Sequence, residues 1–117
     1  MLPARHRLRT ADEFRAVFRG GARSGGRLLV VHAALTDPGC TRTPRVGFVV
    51  PKSVGNSVVR HRVVRRLREL SRAHLASVPA GVDLVVRAAP DAATATFDQL
   101  GAELDRCLST ALRRGAR

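Results

Sequence analysis

One segment constrains what this chain of 117 residues can fold into: residues 51–70, PKSVGNSVVRHRVVRRLREL. At about 100° per residue, its apolar side chains fall in one narrow arc of a helix: Val59, Val63, Leu67 and Leu70. Basic side chains sweep the opposite side: His61, Arg62, Arg65, Arg66, Arg68 and Arg72. Arg60 projects at the edge of the buried arc, so its long stem must carry the charge out to solvent or into a neighbouring groove. The segment therefore predicts an amphipathic helix with one buried stripe.

Local signals mark both ends of this helix. Asn56 or Ser57 can accept hydrogen bonds from the free N–H groups of the first turn. Gly55 allows a tight turn into that cap, and Pro79 with Gly81 closes the segment. The whole basic segment, loop and helix together, is expected to span residues 51–78.

The positive charge of the helix has almost no partner within it. Glu69 is the one acid among the arginines of residues 51–70. Like charges three or four residues apart repel by a few tenths of a kcal/mol per pair. A polyanionic partner that relieves this repulsion is therefore favoured over a solvated face or an anionic membrane surface.

The charge of the chain is one-sided. The formal net charge is +12, and residues 1–79 hold 16 basic and 4 acidic side chains, whereas residues 80–117 hold 5 of each. A binding face is expected in the first two-thirds, including a basic arm over residues 1–9. Lys52 is the one lysine, and the arginine bias fits bidentate phosphate contacts or a GC-rich genome.

Composition excludes several function classes. Cys40 and Cys107 have no CxxC or Cys/His ligand spacing, which argues against a zinc site and favours a reducing, cytoplasmic setting. No apolar run approaches the roughly 20 residues of a membrane helix. Tyr and Trp are absent and Phe numbers 4, which excludes an aromatic-rich platform for stacking bases.

Hydrophobic periodicity outlines one domain over residues 1–117. Capping boxes at Thr10–Glu13 and Thr96–Gln99 predict a first helix that ends at Gly20-Gly21 and a last helix. Apolar runs predict strands over residues 28–35, 45–50 and 82–87, with a turn at residues 37–39. The expected fold is an α/β two-layer sandwich with a small mixed sheet of about four strands and three helices. The order is helix, strands, helix, strand, helix.

Independent catalysis is not expected. The four histidines, His6, His32, His61 and His74, form no paired acid–base motif, although folding could bring His32 and His61 together. The nine acids are scattered rather than clustered for two metal ions. Ser53 and Ser57 lack a nucleophile-elbow context.

Three stretches carry a resemblance: Arg45-Val-Gly-Phe, Lys52-Ser-Val-Gly-Asn56 and Arg60-His-Arg62-Val-Val-Arg65-Arg-Leu-Arg68. Together they resemble the bacterial ribonuclease P protein component, which has an RNR helix after an R-x-G…K-x-x-G-N lead-in. The match extends to Arg7-Leu8 and to the helix Glu13-Phe14-x-x-Val17-Phe18, and the order of the last strand and helix agrees.

The resemblance implies a partner and a role. The family protein joins a catalytic RNA, and together they remove 5′ leaders from precursor tRNA. Catalysis belongs to the RNA and its Mg²⁺ ions, and neither a membrane nor DNA is an expected partner. The crossover from strand to helix to strand is expected to be left-handed by resemblance, whereas the general rule favours a right-handed one.

The resemblance also assigns residues. Contact with the catalytic RNA is implied for Lys52, Asn56, Arg60, His61, Arg62, Arg65, Arg66, Arg68 and Arg72. A cleft for the single-stranded leader is implied at Phe14, Phe18, His32, Arg45 and Phe48. Simple core packing of the two helix phenylalanines, and a strand histidine with no ligand, remain alternatives.

The chain departs from the family pattern within the helix. His61 stands where asparagine is usual, Val64 stands where a basic residue is common, and Arg66 adds a charge on a different face. Two other functions stay open: a non-catalytic ribosomal or assembly RNA-binding protein, and a DNA-binding module. The DNA-binding module would need base-reading Asn or Gln side chains, and the helix has none beyond Asn56 at its start.

Overall fold

The computed structural model describes residues 2–37, 39 and 42–115. Within them the strands are β1 (Ala22–Gly25), β2 (Leu29–Leu35), β3 (Arg45–Val49) and β4 (Val82–Ala88). The α-helices are α1 (Ala11–Gly20), α2 (Ser57–His74) and α3 (Phe97–Gly115). Short 3₁₀ turns lie at Ala4–His6, Lys52–Val54, Leu75–Ser77 and Pro90–Ala93. The predicted α/β class and element order are confirmed.

The four strands form one mixed sheet in the order β1-β2-β4-β3. The β1–β2 and β2–β4 pairs are antiparallel, and β3 runs parallel to β4 with α2 as the connection between them. Val86 pairs with Val31 on one side and Phe48 on the other. The strand–helix–strand crossover is thus confirmed, and its left hand stays a prediction. The sequence prediction did not locate β1, a short edge strand without an apolar pattern.

The main core lies between one face of the sheet and helices α2 and α3. Alternate residues of β2 and β4, such as Leu29 and Val86, meet Leu67 of α2 and Leu104 of α3, and all are fully buried. Cys107 on α3 joins this core, and burial raises the pKa of its thiol above the ordinary value. The thiol is therefore an inert core group. Cys40 lies outside the described residues.

Helix α1 covers one end of the opposite face. Val17 packs against Ala34 and Val85 with Leu8, forming a second and smaller core. Because α1 is short, the rest of this sheet face, including His32 on β2, stays partly open.

Both predicted capping boxes are confirmed. The Thr10 hydroxyl accepts from the Glu13 N–H at 3.2 Å, and the Glu13 carboxylate accepts from the Thr10 N–H at 3.0 Å. At α3, Thr96 and Gln99 make the same reciprocal pair, at 2.9 and 3.1 Å. These bonds satisfy N–H groups that a helix start leaves free and so fix where each helix begins.

The basic arm is docked on the sheet as far as it is described. Leu2 and Leu8 are buried, and Arg7 forms a single parallel bridge with Val46 of β3. The Leu8 N–H donates to the Val46 carbonyl at 3.1 Å. The arm therefore continues the sheet beyond the edge of β3. Among the described helices, none is long and apolar enough to cross a membrane.

Candidate nucleic-acid interface

The start of α2 is set by the turn that follows β3. Asn56 is the N-cap, and its side-chain oxygen accepts from the Val59 N–H at 3.0 Å. Gly55 has a φ of 155°, and a Cβ there would lie 3.0 Å from the Val59 side chain. Glycine is required for this entry because an L side chain would suffer both backbone strain and a close contact. Lys52, in the preceding 3₁₀ turn, is exposed beside the cap.

The buried stripe of α2 agrees with the helical periodicity. Val63 and Leu67 are buried, and Val59 and Leu70 are partly buried against the same core. Burying one side of the helix in this way turns its other side outward.

The outward side of α2 carries unneutralised positive charge. His61, Arg62 and Arg65 are exposed, and within the described chain no carboxylate pairs with them. Arg72 is exposed and pairs with Glu69 at 2.8 Å, an exposed contact worth little net energy. Arg68 is half-buried and also lacks a carboxylate partner in the described part. The face can therefore bind phosphates without first breaking strong internal ion pairs.

Two arginines of α2 lie on its flanks rather than on its outward side. Arg66 is half-buried and donates to the Ala95 carbonyl at 3.2 Å, so its placement on the open side is corrected. It lies on the flank that faces the loop before α3, because it follows buried Val63 by three residues. Arg60 is also half-buried, and its Nε atom is buried without a hydrogen-bond partner among the described residues. This agrees with the expected position at the edge of the buried arc.

An aromatic cluster lies where α1 meets the open sheet face. The Phe18 ring meets the His32 ring edge-on, with centroids 4.7 Å apart and an angle of 84° between the ring planes. Phe18 is 43% exposed, which is more than core packing requires. Phe14 is half-buried over β3, and Gly47 makes room for it, since a Cβ there would lie 2.4 Å from the ring. Of the two helix phenylalanines, Phe18 is thus the one that faces solvent.

The electrostatics of this cluster are positive. Burial, then the charges of Arg23 and Arg87, hold the pKa of His32 below its ordinary value of 6.5. Arg23 of β1 lies directly opposite His32 of β2. Arg87 of β4 lies opposite Val30, two residues before His32 on β2. The histidine is therefore neutral at pH 7 between two cations. Sequence reasoning missed both arginines, because only the strand register brings residues 23, 32 and 87 onto one face.

A groove lies between Phe14 and helix α2. Its volume is about 200 Å³. It is lined by Arg7, Leu8, Phe14, Val46, Gly47, Phe48, Val64 and Arg68. Two predicted cleft residues, Phe14 and Phe48, thus share a groove with the arginine helix. Val64 supplies an apolar wall at the position where a basic residue would be common.

Arg45 has a different environment from the other predicted cleft residues. Its Nε and one terminal nitrogen donate to Asp83 at 3.0 and 2.8 Å, and the other terminal nitrogen donates to Glu13 at 2.6 Å. Asp83 is 1% exposed and also accepts from Thr36 at 2.7 Å and Arg42 at 3.0 Å. The guanidinium therefore ties β3 to β4 and α1, and its contact with a leader stays a prediction.

This network sets the ionisation of its acids. Burial by itself would raise the pKa of Asp83, but hydrogen bonds from Arg45, Thr36 and Arg42 outweigh it and hold the pKa below 3.8. Hydrogen bonds from the Arg9 and Thr10 N–H groups hold the pKa of Glu13 below 4.5. Both carboxylates are ionised at neutral pH and are occupied by arginines.

Among the described residues no three His, Cys, Asp or Glu side chains cluster to hold a metal, so this part of the chain does not fit a Mg²⁺ site of its own.

Comparison with known proteins identifies the family. The family model described as Ribonuclease P matches residues 2–112. The chain is 49% identical over 116 residues to the ribonuclease P protein component of Nocardioides sp., covering 99% of this chain and 97% of that protein. It is 51% identical over 117 residues to that of Kocuria rhizophila, covering 99% of this chain and 100% of that protein.

Solved structures agree with the sequence relatives. The RNase P protein of Staphylococcus aureus superposes with a TM-score of 0.81 at 26% identity, covering 91% of this chain and 94% of that one. The RNase P protein of Thermotoga maritima gives a TM-score of 0.72 at 25% identity, covering 92% and 96%. The chain belongs to the ribonuclease P protein family.

Proposed function

We propose that this chain is the RNA-binding subunit that joins the catalytic RNA of ribonuclease P and helps it remove 5′ leaders from precursor tRNA. Family membership supports the subunit role and not the ribosomal or assembly role that the sequence left open. The endoribonuclease activity belongs to the holoenzyme, and the protein alone is not catalytic. The observation that carries the proposal is one groove in which Phe14 and Phe48 meet Arg68 of the basic helix α2.

The outward face of α2 binds the catalytic RNA in this proposal. Arg62 and Arg65 present guanidinium groups that no described carboxylate occupies. Planar guanidinium groups bind phosphate oxygens bidentately, which gives orientation as well as affinity. Lys52 and Asn56 extend this contact to the turn before the helix, while Arg66 stiffens the flank through the Ala95 carbonyl.

The open sheet face binds the leader. A single-stranded leader offers unstacked bases to the Phe18 and His32 rings and phosphates to Arg23 and Arg87. Because the cleft uses shape, stacking and charge, it accepts leaders of different sequence. Phe14 and Phe48 continue the apolar surface toward α2, so leader and catalytic RNA lie on adjacent surfaces.

The catalytic ions belong to the RNA in this proposal. Mg²⁺ supplies charge neutralisation and nucleophile activation when the RNA holds it. This chain contributes by lowering the repulsion between two polyanions, because its basic face lies against one and its cleft against the other. Neither DNA nor a membrane is a partner, and the complex works in the cytoplasm.

Leader cleavage at low Mg²⁺ tests the proposal. A bacterial ribonuclease P RNA is incubated with precursor tRNA, with and without the purified protein, and with the protein alone as a control. Cleavage that needs the RNA and rises strongly with the protein is expected. RNA binding without any enhancement of cleavage would favour a ribosomal role. Cleavage by the protein alone would contradict the assignment of catalysis to the RNA.

A further inference from the structure

A cavity of about 570 Å³ lies where the basic arm meets the C-terminal end of α2. Its apolar walls come from Pro3, Pro44, Leu75, Ala76, Val78 and Ala80. Its polar groups come from Arg5, His6, Thr43 and Arg72. We call this cavity the arm pocket. Of its lining residues, only Arg72 belongs to a surface assigned above. Its volume lies within the range of about 300–1,000 Å³ that is typical of small-molecule sites.

The arm pocket is built by the protein itself rather than by a loose end of the chain. A His6 ring nitrogen, Nδ1, lies 2.9 Å from the Pro44 carbonyl, and the Arg7 Nε donates to the Leu2 carbonyl at 2.7 Å. Leu75 and Val78 are buried under the 3₁₀ turn that ends α2. The two hydrogen bonds fix the arm and its contact with Pro44, and the core fixes Leu75 and Val78 on the opposite wall. A ligand therefore meets a preformed site, and little ordering entropy is lost on binding.

The chemistry of the arm pocket fits a nucleotide. Its apolar walls can bury a flat base, and its rim offers the guanidinium groups of Arg5 and Arg72 to a phosphate. Arg5 is exposed and has no carboxylate partner in the described part of the chain. The Arg72–Glu69 pair is exposed at 2.8 Å, and such pairs exchange partners at little cost. A groove that offered only cations would bind any anion. The apolar walls of the arm pocket also favour a ligand with a flat apolar group, such as a nucleotide base.

We propose that the arm pocket binds one unpaired nucleotide of the catalytic RNA. The base lies between the proline and leucine walls, and its phosphate lies at Arg5 and Arg72. The catalytic RNA is the source because Arg72 belongs to the outward face of α2, so the pocket continues the surface assigned to that RNA. The inference rests on the proposed function and extends the RNA contact from α2 to the arm.

Filling the pocket tests the proposal. Ala76 is exposed and lines the pocket, so Ala76→Trp occupies the space without entering the core. Ala102→Trp makes the same change at an exposed position on α3 and serves as the matched control. Losing one charged phosphate contact together with one buried base should weaken binding of the ribonuclease P RNA about tenfold. Far-ultraviolet circular dichroism and thermal unfolding show whether both variants fold.

Footprinting then identifies the occupant. Dimethyl sulfate methylates unpaired adenines and cytosines of the ribonuclease P RNA, with wild-type protein, Ala76→Trp or Ala102→Trp bound at saturation. Wild type and Ala102→Trp are expected to protect one or two unpaired nucleotides. The same nucleotides should become reactive when Ala76→Trp is bound. The same footprint with all three proteins would overturn the proposal. If wild type itself fails to bind this RNA, the proposed function fails rather than the pocket.

Discussion

Salt dependence should reveal how much of the RNA contact lies on α2. The helix and the turn before it present six cations to the RNA: Lys52, Arg60, Arg62, Arg65, Arg68 and Arg72, of which Arg72 alone pairs with a carboxylate among the described residues. Each phosphate contact contributes about 0.7 to 0.9 to the slope of log affinity against log salt, so six contacts predict a slope of about −4 to −5. A double variant, Arg62→Ala with Arg65→Ala, leaves four contacts and should reduce the slope to about −3 to −4.

The affinity should fall together with the slope. Each of the two exposed arginines is expected to contribute roughly 1–2 kcal/mol, because a charged hydrogen bond to phosphate is lost from a surface that needs no repacking. Filter binding to a ribonuclease P RNA between 50 and 400 mM salt, about an eightfold range, measures both quantities. The free energy of unfolding should stay within about 0.5 kcal/mol of wild type, because both side chains are exposed.

A charge-matched variant separates the helix from net charge. Arg106→Ala with Arg113→Ala removes two positive charges from exposed positions on α3. The slope should stay near the wild-type value for this variant. An equal drop in slope for both double variants would show that net charge, rather than the α2 face, governs binding.

Further outcomes are expected at three residues, Asp83, Gly47 and His32. Asp83→Asn should lower the free energy of unfolding by about 3–5 kcal/mol in urea, because Arg45 is left half-buried without its main carboxylate. The pKa of Asp83 is lowered by folding, so its stabilisation is present at neutral pH and should fade as pH falls below 3.8, measured by acid unfolding. Gly47→Ala should cost about 1–3 kcal/mol in thermal unfolding, because its methyl group would overlap the Phe14 ring. A bound leader oligonucleotide should raise the pKa of His32, measured by NMR, because its phosphates neutralise the flanking arginines.

Each of these outcomes has a matched control. Asp98→Asn changes an exposed acid on α3, and Gly20→Ala adds a methyl group where nothing lies within 4 Å. If Asp98→Asn lost as much stability as Asp83→Asn, or Gly20→Ala as much as Gly47→Ala, burial would not explain the losses. His74 lies at the far end of α2, so its ring NMR signals should stay in place when the leader binds. Equal changes in the ring NMR signals of both histidines would mean that the oligonucleotide binds without using the cleft.

Local chemistry is what the sequence predicted best. The Thr10–Glu13 capping box and the Asn56 cap lie within single turns, so residue order alone determines them. The buried stripe of α2 followed from helical periodicity for the same reason. The cleft aromatics came from family resemblance, and the structure brings Phe18 and His32 into contact.

Long-range arrangement is what the sequence could not provide. Arg45 and Asp83 are 38 positions apart, and only the parallel pairing of β3 with β4 places them side by side. Strand β1 was not predicted because its residues, Ala-Arg-Ser-Gly, show no alternation of apolar and polar side chains. They form an edge strand only through pairing with β2. The arm pocket needs the first residues and the end of α2 to meet, which no local pattern encodes.

The assignment of the leader to the cleft and of the catalytic RNA to α2 can be tested with two variants and two substrates. Reconstituted complexes with wild type, Phe18→Ala or the α2 double variant are titrated with precursor tRNA that carries a leader and with mature tRNA that lacks one. Phe18→Ala is expected to retain affinity for the catalytic RNA and to lose the preference for the leader-bearing tRNA. The α2 variant should show weaker assembly with the catalytic RNA and an intact leader preference once assembled. A leader preference that survives Phe18→Ala and disappears with the α2 variant would contradict the assignment of the two surfaces.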